Sequence, residues 1–351
     1  MKAVIVGCGN IAAEYAKDLR SAGTVDLVGF YDVDAQRARA FADAHGGQAF
    51  GTLDEAIDSA ELVINLTIFE AHYPVSRAAL AAGRHVYSEK PLALNLAHAL
   101  ELARLSEEND VRLAAAPFTF MGRAQETALE WVRSGKLGTI RLAYAEVNHG
   151  RIETWHPNPA PFYSAGPMLD VGVYPLTILM AAFGPVARLS AHASIVLADR
   201  SDLNGEAFGV RVPDYWLVDL EHDSGTRVRL TVNFYVKGDE AVEFHGDEGS
   251  LRLGDWFSPG ASVQYTPYEG KTSSVPVPPG PDQVDWSVGV AELVDSIRTD
   301  RPSRLNRERS VHLVEIIEAS KTSAETGAVV ELKTNFTGSE PDPRYSSHDR
   351  L

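Results

Sequence analysis

The chain has 351 residues, enough for two domains with sizeable cores, and its 44% hydrophobic and 23% charged residues are ordinary for a globular protein. A formal net charge of −16 and a pI near 5.1 argue against a nucleic-acid or anionic-membrane partner, which would need clustered Lys and Arg, and favour a neutral substrate. The single cysteine, Cys8, excludes an internal disulfide and makes a reducing cytoplasm the expected location; the apolar start is too short for a signal peptide, and no run reaches the ~18 apolar residues of a membrane span.

In chain order, the first half alternates β-branched runs with helical periodicity. Residues 3–6 predict a buried strand, 11–22 a helix ended by Gly23, 25–31 a second strand and 35–45 a second helix. A short helix over 53–59 has Thr52 as its N-cap. A strand over 62–66, a helix over about 73–82, a strand over 85–88, a helix over 96–109 and a strand over 112–115 complete the series. Strict alternation implies a parallel sheet with helices on both faces. After a helix over 125–134 the pattern changes. Strands are predicted over 140–148, 187–197, 214–221, 226–235, 241–245 and 250–253, interrupted by a helical pattern over 167–183. Two amphipathic helices, about 284–299 and 309–326, follow. The fold class is therefore α/β: an N-terminal doubly wound parallel sheet plus a C-terminal α+β domain with a large, mostly antiparallel open sheet. The domain boundaries expected are 1–120 and 121–337, with a polar tail over 338–351.

Gly7-Cys8-Gly9-Asn10-Ile11-Ala12 is a G-x-G-x-x-A turn between the first strand and first helix. Gly7 permits the tight turn, Gly9 lets the backbone approach a pyrophosphate, and Ala12 allows close packing of helix on strand. The helix start at Asn10 and Ile11 then offers free N–H groups to phosphates. Asp32, twenty residues after Ala12, ends the second strand, where a carboxylate accepts from ribose hydroxyls and repels a 2′-phosphate. This combination predicts a Rossmann domain that binds NAD in preference to NADP.

Glu89-Lys90-Pro91 follows the strand at 85–88, so the charged pair lies at the carboxyl end of a parallel strand, where open α/β sheets bind ligands. On these residues alone a surface turn is the plainer reading. Trp155-His156-Pro157-Asn158, just ahead of the helical pattern at 167–183, is too polar and proline-rich for core and suits a pocket wall: an aromatic face for sugar C–H groups, His and Asn for hydroxyls. There is no HExxH, CxxC pair, Walker lysine loop or EF-hand, and no histidines pair at metal-ligand spacing, so no metal is expected. Val228, Leu230 and Val232, or their alternates, are expected to form a sheet face in need of cover. Glu315 and Glu318 read as solvated helix-face charges.

The stretch from Ala79 to Leu92, which contains His85-Val86-Tyr87-Ser88-Glu89-Lys90-Pro91, resembles the signature of the glucose-fructose oxidoreductase / inositol dehydrogenase (Gfo/Idh/MocA) family. Thr67-Ile68-Phe69-Glu70-Ala71-His72 is similar to that family's Thr-Pro-x-x-x-His loop, with Ile68 in place of proline, and Gly135 to Arg141 is similar to its entry into the large sheet. Gly166 to Tyr174 resembles its substrate helix, with Tyr174 where many members carry histidine, as in the branch of dimeric dihydrodiol dehydrogenase. The resemblance implies that Thr67, His72, Glu89 and Lys90 lie beside the cofactor. It also implies that Lys90 polarises the reacting hydroxyl with Tyr174 as proton carrier, the ammonium stabilising the phenolate. Asp170, four residues before Tyr174, is expected on the same helix face and in the substrate site with Trp155, His156, Lys90 and Tyr174. The implied activity is NAD-dependent oxidation of a secondary alcohol of a sugar, inositol, glycoside or related polyol. Tightly held NAD serving as a transient oxidant, and a non-catalytic dinucleotide-binding regulator, remain alternatives. A homodimer or homotetramer through the C-terminal sheet is also implied.

Overall fold

The computed structural model describes residues 1–337, so the tail expected over 338–351 lies outside the described residues. The chain divides into two units. The first comprises Met1–Phe118 with Asp285–Val314, and the second runs from Thr119 to Val284 and resumes at Glu315.

In the first unit the elements are β1 (Lys2–Val6), α1 (Asn10–Ala22), β2 (Asp26–Tyr31), α2 (Ala35–His45), β3 (Gln48–Ala49), α3 (Leu53–Asp58), β4 (Leu62–Asn65), α4 (Phe69–Ala81), β5 (His85–Ser88), α5 (Leu96–Glu108) and β6 (Leu113–Ala115). The six strands are all parallel, in the order β3-β2-β1-β4-β5-β6. Because β1 and β4 are neighbours while the chain leaves β1 toward β2, the winding reverses between them, and ligands bind at the strand carboxyl ends of such a reversal. The strands are buried on both faces, which is why they read as continuous apolar runs. α2 starts where Asp34 accepts from the Gln36 and Arg37 N–H groups, and α3 starts with a Thr52–Glu55 capping box. α4 begins four residues earlier than its apolar periodicity suggests. Pro74 lies inside it, in the second turn, and removes one N–H from the helical ladder without ending the helix.

The second unit contains α6 (Arg123–Arg133), β7 (Ile140–Asn148), α7 (Ala160–Ala165), α8 (Pro167–Asp170), α9 (Val173–Phe183), β8 (Val186–Ser194), β9 (Asp199–Ser201), β10 (Ala207–Gly209), β11 (Tyr215–His222), β12 (Arg227–Asn233), β13 (Val242–Gly246), β14 (Gly249–Leu253), β15 (Val263–Pro267) and β16 (Ser273–Val275). Then come α10 (Val288–Arg298), which belongs to the first unit, α11 (Arg307–Thr326) and β17 (Val330–Glu331). Nine strands form one sheet, β16-β15-β14-β13-β7-β12-β11-β8-β17, antiparallel except for the β7–β12 pair, while β9 and β10 make a separate ribbon. Val228, Leu230 and Val232 are fully buried on the face against which α8 lies, so no second molecule is required to cover them. Their alternates, Arg227 and Arg229, point outward and pair with Glu221 and Glu146 at 2.7 Å each; the open face is a charged ladder rather than an apolar stripe.

The helical pattern over 167–183 is two helices, not one. The chain breaks at Val171–Gly172, where a Cβ on Gly172 would stand 2.9 Å from the Met168 carbonyl oxygen. Asp170 ends α8 and Tyr174 lies in the first turn of α9, so the expectation that they share one continuous helix face is corrected. Glu315 is also corrected: it is buried and accepts from the Lys333 N–H at 2.9 Å and the Thr334 N–H at 2.8 Å, clasping the chain after β17.

Candidate active site

At the carboxyl end of β1 the chain turns sharply. Gly7 has φ +94°, and a Cβ there would lie 2.7 Å from the Leu66 carbonyl, so conformation and contact both demand glycine. Gly9 has nothing within 4 Å of a hypothetical Cβ; it caps α1 with no side-chain acceptor, leaving the first-turn N–H groups at Asn10 and Ile11 for a ligand. Ala12 is fully buried against the sheet. Asp32 is held at the end of β2 by two backbone donors, the Cys8 N–H at 2.8 Å and the Asp34 N–H at 2.9 Å, with Arg37 at 3.5 Å. The carboxylate is thus fixed beside the glycine turn. Open glycine, uncapped helix start and anchored acid fit the pyrophosphate and adenosine ribose of a dinucleotide. Cys8, within the turn, is buried; burial, then the Asp32 charge, pushes its thiol up to about 12.

The ends of β4 and β5 carry the other predicted residues. Asn65, fully buried, accepts from the Thr67 hydroxyl at 2.6 Å and donates to the His72 carbonyl at 2.9 Å and to Ser76 at 3.0 Å. No motif marks Asn65, although a lone polar residue closing an apolar strand is a signal. His72 is buried, with Nδ1 2.7 Å from the Pro91 carbonyl and Nε2 3.0 Å from the Thr67 carbonyl. It ties the Thr67 turn to the Lys90–Pro91 turn. Burial pushes its pKa below the ordinary imidazole value, against the pull of the two carbonyls. The Lys90–Pro91 peptide is cis. Lys90 is only 8% exposed, its Nζ 5.8 Å from the centre of the Phe69 ring. Glu89 accepts from the Tyr15 hydroxyl at 2.7 Å and from the Lys90 N–H at 3.0 Å.

In the second unit Tyr174 stacks on Trp256, with ring centres 5.2 Å apart and planes 17° from parallel, and Phe257 meets it edge-on at 5.3 Å. Trp155 is 52% exposed, braced edge-on by His149, His156 and Phe162. His156 Nδ1 lies 2.9 Å from the Asn158 carbonyl and accepts from the Asn158 N–H at 3.1 Å, which fixes the ring within its own loop. Beneath this loop lies a buried ionic cluster. Arg200 of β9 donates to Glu153 at 2.8 Å and to Asp214, its guanidinium stacks on Tyr163, and Tyr163 donates to Glu153. Burial would raise the Glu153 pKa, but its donors from Tyr163, Arg151 and Arg200 prevail and hold it below the usual range. Arg200 meets Glu153, and Trp256 meets Tyr174, through pairings distant in sequence, which no local motif announces.

Residues 1–116 match the Gfo/Idh/MocA description "Oxidoreductase family, NAD-binding Rossmann fold", and residues 126–252 match that family's C-terminal domain. The chain belongs to the Gfo/Idh/MocA family. The resemblance first seen at Glu89-Lys90-Pro91 and Gly166–Tyr174 therefore holds for both units, and the first is an NAD-binding Rossmann domain of an oxidoreductase. This Gfo/Idh/MocA protein is 27% identical to glucose-6-phosphate 3-dehydrogenase of Bacillus subtilis over 51% of its own length, and it spans about half, 53%, of that enzyme. It is 25% identical to trans-1,2-dihydrobenzene-1,2-diol dehydrogenase of Bos taurus, over 79% of this chain and 80% of the relative. An NAD-binding oxidoreductase from Klebsiella pneumoniae shares its fold with a TM-score of 0.84 at 20% identity, over 95% of this chain and 100% of that one. Among the described residues no helix is long and apolar enough to cross a membrane.

Proposed function

We propose that this protein is an NAD-dependent dehydrogenase acting on a secondary alcohol of a sugar, inositol, glycoside or related polyol. The observation that carries the reading is Lys90, an almost fully buried ammonium at the carboxyl end of a strand in a dinucleotide-binding sheet. Ligands of open α/β sheets bind at this end of the strands. The nicotinamide, when bound, supplies the acceptor for the hydride leaving the alcohol carbon. The protein's part is the proton on the alcohol oxygen. Lys90 polarises the hydroxyl, and the Tyr174 phenol relays the proton, its ring held in place by Trp256 and Phe257. Asp170, Trp155 and His156 are assigned to the substrate: Trp155 offers an exposed ring to sugar C–H groups, and the other two offer polar atoms to hydroxyls. Thr67 and Glu89 are assigned to the cofactor directly, and His72 holds their turns. Relatives named for a sugar phosphate and for a cyclic diol support a CH–OH substrate.

The test is NADH formation against a panel of sugars, inositols and glycosides, repeated with NADP. NAD should be the preferred acceptor, because Asp32 stands where a 2′-phosphate would lie. With the best substrate, Lys90→Met and Tyr174→Phe should each lower turnover by about 10²-fold or more while dinucleotide binding at the glycine turn persists. Near-full activity in both variants would remove the assignment. We also propose a homodimer or homotetramer through the charged face of the nine-stranded sheet; light scattering that gives a monomer would overturn it.

A further inference from the structure

We propose that Tyr15 is a positioning residue for the nicotinamide half of the cofactor, acting through Glu89. The inference rests on dinucleotide binding by the first unit and not on the choice of substrate. Tyr15 lies in the second turn of α1, fully buried, and its hydroxyl donates to Glu89 Oε1 at 2.7 Å. The other carboxylate oxygen, Oε2, accepts from the Lys90 N–H at 3.0 Å. The acid is thereby held at both oxygens, one to a helix and one to its own turn. Because the single Tyr15 proton is committed to Glu89, the Tyr87 hydroxyl, 3.2 Å away, is the donor to Tyr15 oxygen. Burial, then the neighbouring Glu89 charge, raises the Tyr15 pKa well above the phenol range, so the donor is present at any working pH.

The rest of the unit fixes that hydroxyl in place. Trp286, from the segment 285–314, lies 5.5 Å from the Tyr15 ring, and its backbone N–H donates to Asp18 of α1 at 2.9 Å. Gly289 packs so closely on Tyr87 that a Cβ there would lie 2.3 Å from the tyrosine oxygen. A dinucleotide with its adenosine ribose at Asp32 beyond β2 and its phosphates at the start of α1 places its remaining half over the ends of β4 and β5, on the far side of β1. Glu89 stands at the end of β5. One helix therefore sets the register of both halves: its first turn receives the phosphates, and its second turn holds the acid that meets the nicotinamide end.

The experiment compares binding of NADH with binding of ADP-ribose, which lacks the nicotinamide. Tyr15→Phe should weaken NADH by roughly tenfold, the scale of a lost hydrogen bond to a charged group, and leave ADP-ribose unchanged. Glu89→Gln should show the same selective loss, and the double variant should lose no more than either single one, as expected when the two act as one unit. Should Tyr15→Phe fail to fold, Tyr87→Phe, which loosens the Tyr15 hydroxyl, must show the same selectivity to a smaller degree. Equal weakening of both ligands would mark Tyr15 as a packing residue and overturn the proposal, as would unchanged NADH binding or additive losses in the double variant. Failure of the unaltered protein to bind either ligand would instead remove the cofactor reading itself, and this proposal with it.

Discussion

The glycine turn of the first unit and the Arg200 cluster of the second hold their polar groups by different means. In the first, the key acid is set by main-chain donors: Asp32 takes the Cys8 and Asp34 N–H groups, and the glycine turn presents bare backbone. In the second, side chains hold side chains: Arg200 with Glu153, Asp214 and Tyr163, and Tyr174 with Trp256 and Phe257. A backbone cradle tolerates changes in the side chains around it but not a change in the shape of the turn. A side-chain cluster is the reverse, since each member is a single point of failure within a low-dielectric interior.

That difference can be broken or sharpened by measurement. The largest effect is expected at Arg200. Arg200→Met leaves Asp214 buried without its cation and Glu153 with Arg151 alone, and should cost about 3–5 kcal/mol in denaturant unfolding. Arg229→Met, on the open sheet face, removes an equally short ion pair but should cost no more than about 1 kcal/mol, because it is solvated. A small loss at Arg200 would end the contrast.

Next comes His222, buried at the end of β11 with Nδ1 2.8 Å from the Gly184 carbonyl. Burial lowers its pKa from 6.5 to about 4. The unfolded chain takes up the proton first, so the stability from the neutral ring is complete above pH 6.5 and lost as pH falls toward 4. The loss should be about 3 kcal/mol, and His222→Asn should flatten the slope in that window.

Gly7→Ala, which strains the backbone turn, should destabilise by about 2 kcal/mol and sharply weaken NADH binding, read by calorimetry. The smallest effect is at Cys8: its buried, protonated thiol should resist iodoacetamide in the native protein at pH 8 and react only on unfolding. Rapid native alkylation would show that the glycine turn opens.

The same contrast explains what the amino-acid sequence disclosed. The glycine turn, Asp32, the capped helices and the strands at His85–Ser88 and Ile140–Asn148 were legible because backbone geometry leaves local marks: a glycine spacing, a cap, an apolar run. The break at Val171–Gly172 was not, since both flanking segments are helical and only the contact with Met168 requires the small residue. The strands at Asp199–Ser201, Ala207–Gly209, Val263–Pro267 and Ser273–Val275 are short, and most of their residues are partly or fully exposed, so their composition is that of loops and their pairing is decided elsewhere. Nothing beside Arg200 in the sequence marks it, because its partners Glu153 and Asp214 lie outside any local motif. Family resemblance, rather than spacing, brought Lys90 and Tyr174 to notice.

The packing of Trp286 and Gly289 against Tyr15 and Tyr87 also has a consequence for biosynthesis. Residues 1–118 leave the ribosome well before Trp286 and Gly289, the residues that close over their interior. Nascent residues 1–118 must therefore wait, with two buried tyrosines still uncovered, until residues 285–314 have been made. A fragment cut at the apparent end of the Rossmann sheet would carry that unfinished surface permanently, so the module cannot be grafted onto another protein by a single cut.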